Sequence, residues 1–323
     1  MKHTITVFLI FISGILVKAQ QYISLEDLQK NFKVNAFTLN PQNLYGVEGK
    51  IEIYNVYIGK NSILLLSVFP VYEEHRKTKG EPITPTEDLK SKLDKEFSTE
   101  ALLNEKNKSD ENIGANWKPV DYQQIKDDVL TKDRLLSICL DWAEQNLPEK
   151  KTMQYKLLRK YKGKYYVAQM MLTELFEIGE AEKPFISPYG TINIKETKVS
   201  IAESEKSFQR QFPELSFPLD FRNSYRTKSV PVPYLVKFYL SKEYEIHGEK
   251  AYQFWTLDDW WHIDGYNEYR GIDRFVYIPG KGIVGGSYDF YFEYELTKIG
   301  KISHEKLWNN VINEKVMIAE ELK

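Results

Sequence analysis

Hydrophobic positions in this chain follow three rhythms: one unbroken block, stretches of alternation, and stripes at helical spacing. The block comes first. An apolar run from Ile5 to Val17 is interrupted only by Thr6, Ser13 and Gly14, with Lys2 and His3 before it and Lys18 behind it. Such a run is too short to cross about 30 Å of hydrocarbon at about 1.5 Å per residue. Val17 and Ala19 are small enough for the −3 and −1 pockets of a signal peptidase. The pattern therefore predicts a secretory signal over residues 1–19, cut between Ala19 and Gln20. Polar chain follows at once (Gln20, Gln21, Glu26, Asp27), and no cysteine sits near the cut to carry a lipid.

Alternation dominates the rest. Ile51 and Ile53 alternate with Glu52 and Tyr54, and the nearly all-apolar run SILLLSVFPVY at 62–72 reads as a central strand buried on both faces. Gly59, Lys60 and Asn61 between them suit a hairpin turn. Further strands are expected at Met153–Tyr161 and Tyr165–Phe176, flanking a Lys162-Gly163 turn, and at the short run TINIKE (191–196). Towards the C-terminus, Val232, Tyr234, Val236, Phe238 and Leu240 alternate, as do Tyr288, Phe290, Phe292 and Tyr294. The second set carries Asp289, Tyr291, Glu293 and Glu295 on its opposite, water-facing side. Pro279-Gly280-Lys281-Gly282 between these sets marks a further hairpin.

Helical spacing appears in five places. Ser24 with Asp27 opens a helix, Leu89, Leu93, Phe97 and Ala101 form one stripe, and Thr131 caps a helix presenting Leu135, Ile138, Cys139 and Trp142. Residues 201–212 read as helix. A last helix begins after Ser303 and buries Leu307, Val311, Ile318 and Leu322. The whole predicts an α+β fold: mainly antiparallel sheet with helices packed on one side, a β-rich C-terminal half and a C-terminal helix. A small N-terminal unit at 20–118 could precede a larger one at 119–323; a single two-lobed domain over 20–323 fits the pattern equally.

Composition narrows the picture. The formal net charge is −2, which argues against nucleic acid as the main partner, because phosphate binding needs a clustered positive field. Cys139 is the sole cysteine, so no intrachain disulfide forms and a hydrophobic core must hold the chain. Cysteine scarcity suits an oxidising compartment, and the Val-Lys-Ala-Gln-Gln junction resembles signal junctions of two-membrane bacteria. A periplasmic or secreted location is expected. No segment after the signal is long and apolar enough to span a membrane as a helix.

Candidate chemistry concentrates in WTLDDWWHIDGYNEYRGID, which carries Trp255, Asp258, Asp259, Trp260, Trp261, His262, Asp264, Glu268 and Asp273. Exposed indoles stack on the apolar face of a sugar while carboxylates accept its hydroxyl hydrogen bonds. Two carboxylates roughly 5–10 Å apart can act as acid and base on a glycosidic bond. The same residues also suit strand ends and turns, and Asp264-Gly265 is itself a turn signal. No HExxH or EF-hand spacing occurs, and neither metal nor cofactor is expected. Gly280, Gly282, Gly285 and Gly286 follow a Pro turn rather than opening a helix, so they predict a hairpin turn with a bulge instead of a phosphate loop. Lys150, Lys151, Lys156, Arg159, Lys160, Lys162 and Lys164 either meet an anionic surface, phospholipid or cell-wall polymer, or keep a strand edge soluble.

These observations favour an exported, non-catalytic cell-envelope protein that binds a protein partner or a glycan. The alternatives are a glycan-acting hydrolase using carboxylates of the Trp255–Asp273 segment, and an inhibitor or immunity-type protein that masks another protein's site.

Overall fold

The structure, a computed structural model, describes residues 20–70, 114, 116–144, 151–179, 187–188, 190–214, 237–257, 271–289, 291–292 and 304–323. The elements run β1 (Gln21–Ser24), α1 (Leu25–Asn31), β2 (Lys33–Leu39), α2 (Gln42–Tyr45), β3 (Ile51–Tyr57), β4 (Ser62–Phe69), β5 (Trp117–Val120) and α3 (Tyr122–Ile125). Next come α4 (Lys132–Glu144), β6 (Lys151–Thr152), β7 (Tyr155–Tyr161), β8 (Lys164–Ala168), β9 (Met170–Ile178), β10 (Ser187–Pro188), β11 (Thr191–Ile192) and α5 (Ile201–Gln211). Last are β12 (Lys237–Ile246), β13 (Glu249–Leu257), β14 (Arg274–Ile278), β15 (Gly282–Ser287), α6 (His304–Ile312) and β16 (Met317–Ile318). The fold is α+β. The ladders are antiparallel apart from β1–β7 and β11–β9.

Three sheets share these strands. A central sheet has the order β11-β9-β4-β3-β2, with β6 also paired to β9. A C-terminal sheet has the order β10-β12-β13-β14-β15-β16, and a small sheet the order β1-β7-β8-β5. Successive side chains of a strand point to opposite faces, and in the central sheet both faces are apolar. Ile51, Ile53, Ile63, Leu65, Phe69, Leu172 and Phe176 face one core, shared with the C-terminal sheet and α5. Tyr54, Val56, Leu64, Leu66, Val68, Met171 and Leu175 face the other, shared with the small sheet, α1 and α4. Within the run at 62–72, β4 (Ser62–Phe69) is the central strand its composition predicts, and it explains why the molecule is layered on both sides of one sheet.

Local chemistry sets the ends of the elements. Ser24 Oγ accepts from Asp27 N at 3.2 Å, and Thr131 Oγ1 accepts from Arg134 N at 3.3 Å. Ser200 and Glu203 form a reciprocal capping box at the start of α5. Leu135, Ile138 and Cys139 are the buried stripe of α4. Burial pushes the Cys139 thiol up to about 12, so it packs as a small apolar side chain. Lys162 and Gly163 turn the β7–β8 hairpin with φ of 46° and 81°. The β14–β15 hairpin carries the expected bulge, between Val276 and Tyr277.

Four regions differ from the sequence pattern. The run at 165–176 splits at Gln169: β8 joins the small sheet and β9 the central one, with Gln169 N donating to Asn116 O at 2.9 Å. Periodicity cannot register that switch, because apolar residues continue through it. Asp289, Tyr291 and Phe292 are helical rather than extended, and Phe292 N donates to Tyr288 O at 3.0 Å. Asp289 on the supposed water face is wholly buried, since Arg274 offers its carboxylate a charged partner inside. The last helix stops at Ile312: Asn313 bonds back to Asn309 and Glu314 takes φ 52°. Ile318 and Leu322 therefore lie on β16 and on a 3-10 turn. The strand at TINIKE is confined to Thr191–Ile192. The stripe at Leu89–Ala101, together with Val232–Val236 and Lys150, lies outside the described residues.

The paired glycines of β15 are close-approach positions. A Cβ on Gly285 would lie 2.4 Å from Met317 O, the backbone of β16. Gly285→Ala is expected to cost about 1–3 kcal/mol of stability, read as a lower urea midpoint at unchanged slope; an unaltered midpoint would show that β16 does not bear on β15 this closely.

Candidate functional site

Of the predicted site residues, Trp255 and Asp273 are described; Asp258, Asp259, Trp260, Trp261, His262, Asp264 and Glu268 lie outside the described residues. Trp255 sits on β13 opposite Arg274 of β14. Its indole is buried, stacks on Tyr239 at 4.3 Å and donates from Nε1 to Val199 O at 2.9 Å. Asp273 is buried just ahead of β14, where its backbone N donates to Ser287 O and its carbonyl accepts from Thr256 N. Both side chains belong to the interior between the central and C-terminal sheets.

That interior also holds a seam of buried polar groups to which the sequence pattern gave no prominence. Arg274 Nη1 lies 2.5 Å from Asp289 Oδ2, with exposures of 2% and 0%. The guanidinium also donates through Nε and Nη2 to Lys315 O. Asp289 accepts further from Tyr45 OH at 2.9 Å and Ser287 Oγ at 3.2 Å. Burial works against the charge of Arg274, yet Asp289, Tyr45 and Asp273 together hold its pKa above the ordinary value. Tyr45 is pushed far up by burial and by the Asp289 carboxylate, and Tyr288 by burial and by Glu174. A charge inside a low-dielectric interior is stable only when paired and hydrogen-bonded; here each guanidinium nitrogen of Arg274 and each carboxylate oxygen of Asp289 has a partner.

Three polar side chains on the central sheet complete the seam. Asn55 exchanges two hydrogen bonds with the backbone of Ile283, at 2.8 and 2.7 Å. Ser67 Oγ lies 2.7 Å from Tyr288 OH. Both Glu174 carboxylate oxygens sit 3.1 Å from Ile272 N. Asn55, Ser67 and Glu174 all project from the face that meets the C-terminal sheet, so the seam is a set of stitches between two sheets. The legible signal was a charged residue inside an otherwise apolar run: Arg274 before FVYI and Asp289 within YDFYF. Among the described residues no group of three or more His, Cys, Asp or Glu side chains converges to hold a metal.

The open site lies elsewhere. A cleft of about 460 Å³ is bounded by Tyr244 and Ile246 near the β12–β13 turn and by Val316, Ile318 and Leu322 near the end of the chain. These five side chains are half-buried and pack on the fully buried Ala251, Val276, Ile278 and Val284 of β13–β15. Polar residues rim it: Asn40, Asn43, Glu245, His247 and Lys323. His247 and Gly248 make the turn, with φ of 52° and 79°. Tyr244 OH points towards Gln253 Oε1 at 3.5 Å, and Gln253 Nε2 donates to Glu314 O at 2.8 Å. Glu314 in turn accepts from Ile201 N at 3.3 Å and pairs with Lys242 at 3.1 Å. The far wall is fixed as well. The 3-10 turn behind β16 is clamped to the β2 region, where Glu321 accepts from Thr38 N at 3.0 Å and Glu320 pairs with Lys50 at 2.7 Å. The arrangement offers an apolar surface with hydrogen-bonding groups at its edge, held by rigid elements on both sides.

No family model, no curated protein and no solved structure matches this chain.

The seam makes two expectations. Arg274→Met leaves the Asp289 carboxylate buried without its cation and should cost about 3–5 kcal/mol; adding Asp289→Asn should recover part of that loss in a double-mutant cycle. Tyrosine supplies the second. Burial pushes Tyr57 up to about 12, and Tyr45 and Tyr288 shift in the same direction from the ordinary 10.0. Above pH 10 the unfolded chain releases phenolic protons that the folded chain retains, so stability should fall as pH rises through this range. Phenolate absorbance that lags in the native protein and appears together with unfolding would establish this; ionisation of every tyrosine near pH 10 in the folded state would refute it.

Proposed function

We propose that this chain is an exported, non-catalytic envelope protein that binds a protein partner through the cleft between the β12–β13 turn and β16. The observation that carries the reading is the cleft itself: half-buried aliphatic walls at Ile246, Val316, Ile318 and Leu322, a polar rim, and a volume of about 460 Å³. Sites of roughly 300–1,000 Å³ with apolar walls and a few placed polar groups are the usual form of a binding pocket. Aliphatic walls with one aromatic ring, Tyr244, suit a partner's apolar side chains better than a sugar, which needs ring platforms and dense hydrogen bonding. The leader over residues 1–19 supports export, and the polar chain from Gln20 onward supports removal of the leader.

A charge placed in the cleft tests the binding reading. Ile246→Asp and Ile318→Asp should each weaken retention of an envelope partner more than tenfold while lowering the melting temperature only in part and keeping the circular dichroism spectrum of a folded chain at the assay temperature. Identical retention by parent and variants would remove the cleft from the function. Terminal sequencing of material from the source cells should begin at Gln20; an intact Met1 in a cytosolic fraction would overturn export.

A further inference from the structure

The β7–β8 hairpin departs from the charge balance of the chain. Between Tyr155 and Ala168 it carries Lys156, Arg159, Lys160, Lys162 and Lys164 and no carboxylate, in a protein whose formal net charge is −2. Two of these cations have internal work. Arg159 turns inward, 3.3 Å from Glu52 Oε2 and 4.0 Å over the Trp117 ring. Lys156 is half-buried and donates to Gln169 O at 2.7 Å. The other three lie exposed around the turn.

Tyrosines share the same tip. Lys160 Nζ sits 5.5 Å over the Tyr165 ring and Lys162 Nζ 5.1 Å over the Tyr161 ring. Tyr165 is stacked on Tyr122 at 4.3 Å. Glu26 and Asp121 bring negative charge to the border of the tip: Glu26 Oε1 accepts from Lys160 N at 2.5 Å, and Asp121 Oδ1 from Gln123 N at 3.0 Å. Lys118, exposed on the neighbouring β5, extends the positive field along the sheet.

We propose that the tip of the β7–β8 hairpin docks the protein on an anionic lipid surface, with Lys160, Lys162 and Lys164 against the headgroups and Tyr165 at headgroup level. Charge complementarity is the driving term: lysines near an anionic leaflet each add a favourable increment that fades within a Debye length. Lysine is a compact charge on a flexible stem, suited to a fluid plane of headgroups, whereas fixed bidentate recognition of one anion favours arginine. Tyrosine carries an apolar ring and a polar tip, which places it at a membrane–water boundary. The register pairs Lys160 with Tyr165 and Tyr161 with Lys164, so Lys160 and Lys164 flank the hairpin on opposite faces and Lys162 sits at its apex. The inference rests on the hairpin alone and is independent of the cleft.

Vesicle co-sedimentation tests it with the full chain. Vesicles of phosphatidylcholine and phosphatidylglycerol mixed two to one should sediment the protein at low salt, and vesicles of phosphatidylcholine alone should not. The variant combining Lys160→Gln, Lys162→Asn and Lys164→Gln should bind roughly a hundredfold more weakly, about fivefold per lysine. Asn is chosen at 162 because it tolerates the left-handed backbone there. Both chains share the same N-terminus, so a contribution from the leader cancels in the comparison. Should the triple variant misfold, Lys164→Gln alone, expected about fivefold weaker, and a salt titration of the parent carry the test. Equal binding to neutral vesicles, unchanged binding in the folded variant, salt-insensitive binding, or tighter retention on soluble dextran sulfate than on vesicles would each overturn the lipid assignment.

Discussion

Most of β3, β4 and β9 is buried on both faces, and the rest of the molecule is arranged around that constraint. A sheet with two apolar faces needs cover on both. The C-terminal sheet with α5 covers one, and the small sheet with α1 and α4 covers the other. Apolar burial is non-directional and would tolerate sliding between layers. Direction comes from the polar seam. Asn55, Ser67 and Glu174 each address a specific atom of the facing segments, and the Arg274–Asp289 pair fixes the chain that enters β14 relative to the chain that leaves β15. An aromatic group built from Phe176, Phe238, Phe254 and Phe275, with ring centroids 5.1 to 5.7 Å apart, fills the space beside these stitches.

Much of the skeleton was legible in the sequence, because local signals decided it. The 62–69 strand, the Gly59-Lys60-Asn61 and Lys162-Gly163 turns, the caps at Ser24 and Thr131 and the bulged glycine hairpin depend on residues within a few positions of each other. Long-range partners decided what was missed. The switch of sheets at Gln169 depends on Asn116, and the helical turn at Asp289 depends on Arg274 and Tyr45. Alternation alone placed Asp289 in water, since a lone sequence does not show that a guanidinium waits on a neighbouring strand.

The candidate site was less legible than the fold. Trp255 and Asp273 stood out by residue type, yet their described roles are a buried indole bonded to Val199 O and a buried residue at the entrance to β14. The cleft is assembled from three separate stretches, 40–44, 244–247 and 316–323, none of which carries an unusual composition. Its apolar residues look like ordinary strand residues until the turn at His247-Gly248 and the 3-10 turn beyond β16 leave them half-covered. The basic hairpin is the reverse case. Its charge was plain in the sequence, and the structure adds which cations are exposed and which are used internally.

The stitches also bear on the order in which the molecule assembles. Tyr45 with Asp289, Asn55 with Ile283 and Ser67 with Tyr288 are separated by 244, 228 and 221 residues. Contacts of such span form late, since loop closure has to precede them. Until they form, β4 lies beside β3 and β9 with one greasy face uncovered, and a run such as ILLLSVF is prone to pair with another chain. Docking of β14 and β15 against β3, β4 and β9 is the step that covers that face.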